Sequence, residues 1–67
     1  MGKWALIYWE ENTHQWIWRT YEDHIPLKEG PLYAALDRKL PERILCTAFQ
    51  QQVSNRIPTN DIVVTYF

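Results

Sequence analysis

The sequence predicts a two-layer α+β domain, in which one antiparallel sheet carries a helix on one face. Two β-favouring segments, Lys3–Trp9 and His14–Tyr21, flank a polar turn and predict a hairpin. An apolar stripe at helical spacing within residues 29–41 predicts the helix. The chain then ends in a β-favouring run. The predicted element order is ββαββ, with ββααβ as the alternative.

The hairpin holds all four tryptophans of the chain within 19 residues. A turn centred on Glu11 and Asn12 would pair Trp9 with His14 and Ile7 with Trp16. Because strand side chains alternate between faces, the hairpin residues fall into two sets. One face carries Ala5, Ile7, Trp9, Trp16 and Trp18, and the other carries Trp4, Leu6, Tyr8, Ile17 and Arg19. Both faces are apolar, whereas an antiparallel sheet usually presents one polar face to water.

The middle of the chain gives weaker signals. Residues 21–28 are expected to form a connector, and Pro31 suits the first turn of a helix that Pro41 ends. The stripe of this predicted helix consists of Leu32, Ala35, Leu36 and Leu40. Residues 43–50 fit either a strand or a helix, and the strand is favoured because Leu40 would be a poor N-cap for a second helix. Residues 62–67 are the predicted final strand.

A chain of 67 residues is expected to form a single compact domain over residues 1–67. Its one cysteine, Cys46, rules out an internal disulfide and is predicted to be a small buried hydrophobic residue. The two histidines have no cysteine nearby, so zinc-ligand spacing is absent. We therefore expect no metal and no other cofactor, and stability that depends on aromatic burial or oligomerisation.

Charge and motifs disfavour several classes of function. The net charge of −1 and a pI of about 6.0 provide no general field for nucleic acid. Tyr21–His24 places two acids beside a histidine, but a solvated loop explains such a run better than catalysis does. No apolar run is long enough to span a bilayer. We expect a cytoplasmic protein that is not an enzyme.

The predicted function is that of a small protein-binding domain of the inhibitor, regulator or adaptor type, and the expected oligomeric state is a homodimer. Aromatic residues and arginine are enriched at binding hot spots, and two-fold dimers are the commonest oligomers. The candidate partner-binding residues are Trp4, Tyr8, Trp9, Trp16, Trp18 and Arg19.

Binding of single-stranded nucleic acid is the alternative function, with bases stacked on exposed rings. The phosphates would meet a small basic cluster formed by Arg38, Lys39, Arg43 and Arg56. A simpler interpretation of this cluster is that cations near Pro41 complement the C-terminal dipole of the predicted helix.

Overall fold

A computed structural model describes residues 2–66 as one four-stranded sheet with one α-helix. The elements are β1 (Lys3–Glu10), β2 (Gln15–Glu22), β3 (Ile25–Pro31), α1 (Glu42–Gln52), a short 3-10 helix (Thr59–Asp61) and β4 (Ile62–Thr65). The strand order is β3-β2-β1-β4, and β4 runs parallel to β1. The predicted α+β class is confirmed. The predicted order and the purely antiparallel sheet are wrong, because the structure is a βββαβ fold with a mixed sheet.

The β1–β2 hairpin is present, but its register differs from the prediction. Trp9 pairs with Trp16 and Ile7 with Trp18, a shift of two residues. The longer loop, residues 11–14, closes with His14 at a φ of 54°, a conformation that histidine adopts more often than most residues. Because side chains alternate with a period of two, this shift leaves every hairpin residue on its predicted face.

The core lies between one face of the sheet, here called the inner face, and the rest of the chain. The buried inner-face residues are Ala5, Ile7, Trp16, Trp18 and Ile62, and Leu32, Ala35, Leu45, Cys46, Ala48, Phe49 and Ile57 pack against them. Trp16 is only 1% exposed, and Trp18 meets the ring of Phe49 edge to face at 6.0 Å. The aromatic burial expected for so small a domain is therefore concentrated in β2.

β3 corrects two predictions, the connector over residues 21–28 and the helix beginning at Pro31. The strand contains Pro26 and Pro31, which cannot donate ladder hydrogen bonds and are tolerated at a sheet edge. It follows β2 through the two-residue turn Asp23–His24, in which Asp23 has a φ of 55°. A proline-containing edge strand has little of the β-favouring alternation by which strands are predicted.

Residues 32–41 form an irregular segment in place of the predicted helix. Leu32 and Ala35 are buried, but Leu36 from the same predicted stripe is 79% exposed. In a helix ended by Pro41, the carbonyl of Asp37 would lack its usual donor because proline has no N–H. That carbonyl instead accepts a hydrogen bond of 2.7 Å from Nε1 of Trp16.

Residues 43–50, for which a strand was favoured, lie within α1, so that prediction is wrong. Leu45, Ala48 and Phe49 are buried at helical spacing. Pro41 precedes the helix without a side-chain cap, so the missing N-cap did not prevent helix formation. The helix lies in the connection from β3 to β4, which leads from one edge of the sheet to the other, where β4 pairs parallel with β1. The final strand is confirmed for Ile62–Thr65, while position 67 lies outside the described residues.

Side chains of two helix residues fix the flanking segments. Gln52 donates from Nε2 to the carbonyl of Pro31 at 2.8 Å and accepts the backbone N–H of Tyr33 at Oε1 at 2.9 Å. Gln50 donates from Nε2 to the carbonyl of Ile57 at 3.1 Å. The glutamines thus attach α1 to the segments before and after it.

Trp16→Ala tests the assignment of faces, and we expect it to lower the free energy of unfolding by about 3–5 kcal/mol, as for other buried tryptophans. Trp4→Ala, the same change on the opposite face, should cost about 1–2 kcal/mol through a lost ring stack and hydrogen bond. Urea unfolding followed by circular dichroism measures both. Equal losses would contradict the assignment.

Gly30→Ala tests the packing of Trp18 on β3. A Cβ at Gly30 would lie 3.1 Å from Cζ2 of the Trp18 indole. The indole cannot easily retreat, because its Nε1 donates to the carbonyl of Pro31 at 3.1 Å. We expect a loss of about 1–3 kcal/mol in the free energy of unfolding. Lys28→Ala on the same strand is the control and should change stability by less than about 0.5 kcal/mol.

Candidate functional site: the outer face of the sheet

The opposite face of the sheet, here called the outer face, carries an apolar surface. It consists of Trp4, Leu6, Tyr8, Ile17, Arg19, Tyr21 and Val63. Val63 is exposed, the other six are half-buried, and none belongs to the core cluster. Within residues 2–66, the buried residues of α1 and of the irregular segment pack on the inner face. The outer face is therefore a sheet surface without a second layer.

Arg19 is the cation of the outer face. Its guanidinium carbon lies 5.4 Å from the centre of the Tyr8 ring, within cation–π range. Its Nε lies 3.0 Å from Oε1 of Glu29, but the N–H does not point at that oxygen, so the contact is ionic rather than a directed hydrogen bond. Interaction with the Tyr21 side chain, followed by the nearby Tyr8, raises the pKa of Arg19. The face thus carries a permanent charge that a neighbouring acid balances.

Trp4 is held at one end of the outer face. Its ring stacks on Tyr21 with centroids 4.4 Å apart and an interplanar angle of 11°. Its Nε1 donates to the carbonyl of Asp23 at 2.7 Å, and the Asp23 carboxylate accepts the backbone N–H of Gly2 at 3.0 Å. Within Tyr21–His24, Asp23 and His24 therefore form a structural turn, and Glu22 is the last residue of β2. In the described part of the chain, no group of three or more His, Cys, Asp or Glu side chains could hold a metal ion.

The six predicted partner-binding residues are divided between the two faces. Trp4, Tyr8 and Arg19 lie on the outer face, while Trp16 and Trp18 are buried in the core and are not accessible to a partner in the folded chain. Trp9 is half-buried at the hairpin end of the inner face, where its ring meets Trp16 edge to face at 5.7 Å. Alternation separated these groups, but it did not indicate which face was inward.

Four further members of the outer face were missed as partner-binding candidates, namely Leu6, Ile17, Tyr21 and Val63. Leu6 and Ile17 were assigned to this face by alternation, but the prediction of partner-binding residues favoured aromatic rings and arginine. Tyr21 was placed at the end of a strand next to a connector. Its pairing with Trp4 across the hairpin is a consequence of the observed register.

The predicted basic cluster is not assembled at one place. Arg38 and Lys39 line a cleft of about 640 Å³ together with Trp9, Trp16, Leu40 and Tyr66. Arg43 lines a different cleft beside Cys46, and Arg56 lines neither. The dipole explanation of the cluster is wrong, because the predicted helix ending at Pro41 is not formed. Arg38 and Lys39 instead precede α1, and Arg43 lies in its first turn, where the dipole disfavours positive charge.

Fold and surface together define a small α+β domain with an open aromatic sheet face. Comparison with known proteins finds no family model, no curated protein and no solved structure that matches this chain. Among the described residues, no helix has the length and apolar character needed to cross a membrane.

Cys46 is predicted to be an unreactive thiol. It is buried in α1, and burial followed by the nearby charge of Glu42 raises its pKa, which lowers the thiolate fraction at neutral pH. We expect modification by a disulfide reagent at pH 8 to be at least about 100-fold slower than in the urea-unfolded chain, since the reagent needs a local opening. Absorbance of the released thiolate measures the rate. Equal rates in both states would contradict the burial of Cys46.

Proposed function

We propose that this chain is a non-enzymatic protein-binding domain of the regulator, adaptor or inhibitor type, and that its outer face binds a second copy of itself. The observation that carries the proposal is the absence of a covering layer over Leu6, Tyr8, Ile17 and Val63 in the described structure. Contiguous apolar surface of this kind marks interaction sites on small proteins. Tyr8 and Arg19 add the residue types that dominate binding energy at such sites.

Charge favours a protein over nucleic acid as the occupant of the outer face. A stacking surface for single strands needs several cations beside the rings to neutralise phosphates. Arg19 is already balanced by Glu29 at 3.0 Å, and Arg38 and Lys39 line a cleft with inner-face tryptophans. The outer face therefore provides rings with one cation, Arg19, rather than the several cations that a nucleic-acid surface needs.

Self-association is supported by the same charge balance. In a two-fold dimer each subunit presents the same patch, so a patch with a net charge would oppose its own sign. The Arg19–Glu29 pair leaves the middle of the outer face close to neutral. A domain of this size buries only a small core of its own, so covering further apolar residues contributes a larger share of its total stability. Sheet-on-sheet contact across a two-fold axis is the arrangement we propose.

Ile17→Lys tests the proposal, because it places a charge in the middle of the outer face. Light scattering at micromolar concentration should give about 16 kDa for the wild type, twice the chain mass of 8.1 kDa. The variant should have the mass of one chain. The matched control is Ile25→Lys, the same change at a strand position that is 64% exposed and pairs with Glu22 away from the outer face.

The control should remain a dimer, and circular dichroism should show that both variants are folded. A wild type with the mass of one chain would contradict self-association. Equal masses for the two lysine variants would show that the outer face is not the contact surface.

A further inference from the structure

The cleft beside the hairpin end combines two cations with aromatic rings. It is lined by Trp9, Trp16, Arg38, Lys39, Leu40 and Tyr66 and has a volume of about 640 Å³. That volume is within the range of small-molecule sites, roughly 300–1,000 Å³. The cleft lies between the hairpin end of the sheet and the irregular segment, so no residue at the centre of the outer face takes part in it.

Hydrogen bonds from two cleft residues hold its walls in place. Tyr66 donates from its hydroxyl to the carbonyl of Leu40 at 2.9 Å, and Trp16 donates to the carbonyl of Asp37 at 2.7 Å. Partial burial and the nearby charge of Glu42 raise the pKa of Tyr66 above its ordinary value, which favours the protonated hydroxyl that donates this bond. The backbone that carries Arg38 and Lys39 is thus attached to the sheet on both sides, and the cleft is formed before any ligand arrives.

The cations of the cleft are available to an anion. Lys39 is exposed and makes no ion pair with any described residue. Among the described residues, Arg38 forms an ion pair with Glu11 alone, at 3.7 Å between exposed side chains, and ion pairs of this kind contribute little.

The aromatic rings of the cleft provide a surface on which a planar group can stack. Trp9 is half-buried and Tyr66 is 53% exposed, so each presents ring surface to the cleft. The buried Trp16 lines the side of the cleft next to the core, and its ring meets that of Tyr66 edge to face at 5.9 Å. A planar heterocycle, such as a nucleic-acid base, can stack on such rings, because every base has an aromatic face.

We propose that this cleft binds a nucleotide, with its base against the rings of Trp9 and Tyr66 and its phosphate at Arg38 and Lys39. Base and phosphate together match the two halves of the cleft, whereas either component alone fills only one of them. A free mononucleotide and the terminal nucleotide of a single strand share this chemistry. The inference does not depend on self-association through the outer face.

Adenosine 5′-monophosphate is the probe, and tryptophan emission is the readout. We expect saturable quenching by the mononucleotide, with weaker binding of adenosine and of inorganic phosphate. Arg38→Gln combined with Lys39→Gln should weaken the affinity by at least about tenfold, because hydrogen bonds to charged groups are lost. Arg56→Gln is the matched control, a cation outside the cleft, and should change the affinity less than about twofold.

A second variant should move the affinity in the opposite direction. Glu11 accepts from Nε1 of Trp9 at 3.3 Å and competes for Arg38 at 3.7 Å. Glu11→Gln retains a hydrogen-bond acceptor but removes the competing charge, so the mononucleotide should bind about two- to fivefold more tightly. A 5′-phosphorylated hexathymidylate distinguishes a free nucleotide from the end of a single strand as the natural ligand. Binding much tighter than that of the mononucleotide indicates a single strand, and similar binding indicates the free nucleotide.

The absence of quenching by both probes at millimolar concentration would overturn the proposal. Quenching that the Arg38 and Lys39 changes leave unaltered would also overturn it, because the ligand would then bind elsewhere. Circular dichroism should show native spectra for all variants, whose changes are confined to exposed side chains. The Ile17→Lys variant should bind the mononucleotide like the wild type, so a failed dimer and a failed nucleotide site are distinguishable.

Discussion

The structure depends on two indole N–H groups that reach from β2 to the chain that follows β3. Trp16 donates to the carbonyl of Asp37 and Trp18 to that of Pro31, at 2.7 and 3.1 Å. Both rings are buried, so each N–H must find a partner inside the protein. These bonds draw residues 31–37 across the inner face and thereby determine where the irregular segment runs. They also place Arg38 and Lys39 beside the hairpin end, where the cleft forms.

The segments of the described chain that pack on the sheet all lie on one face, the inner face. Trp16 and Trp18 make the inner face a large apolar surface, and α1 and the irregular segment both pack on it. The outer face keeps its own apolar residues without a covering layer. The open face therefore combines an apolar pattern on both sides of the hairpin with packing of the described segments on one side only.

The two candidate surfaces differ in chemistry and in position. The outer face is apolar and nearly neutral in its middle, which suits contact with another protein surface. The cleft has cations and rings in close reach, which suits a smaller ligand with negative charge. Since they lie on different parts of the domain, occupation of one does not exclude occupation of the other. Association of two copies would leave each cleft accessible.

The sequence by itself determined which side chains share a face of the hairpin, and it determined the α+β class. The faces survived an error of two residues in register because strand alternation has a period of two. The burial of Cys46 and the strand at residues 62–65 also followed from local composition. The two apolar faces were evident from alternation alone.

Only the tertiary structure decided which face is inward, and it reassigned the middle of the chain. Residues 43–50 fit a strand or a helix locally, and the strand was favoured, but in the structure they form the helix of the connection that leads to β4, which pairs parallel with β1. β3 contains two prolines, so its strand character depends on its place at the sheet edge rather than on propensity. The irregular segment depends on an acceptor at Asp37 and a donor on Trp16, which are 21 residues apart. Such long-range partners leave no periodic pattern, which is why the cleft could not be predicted from the sequence.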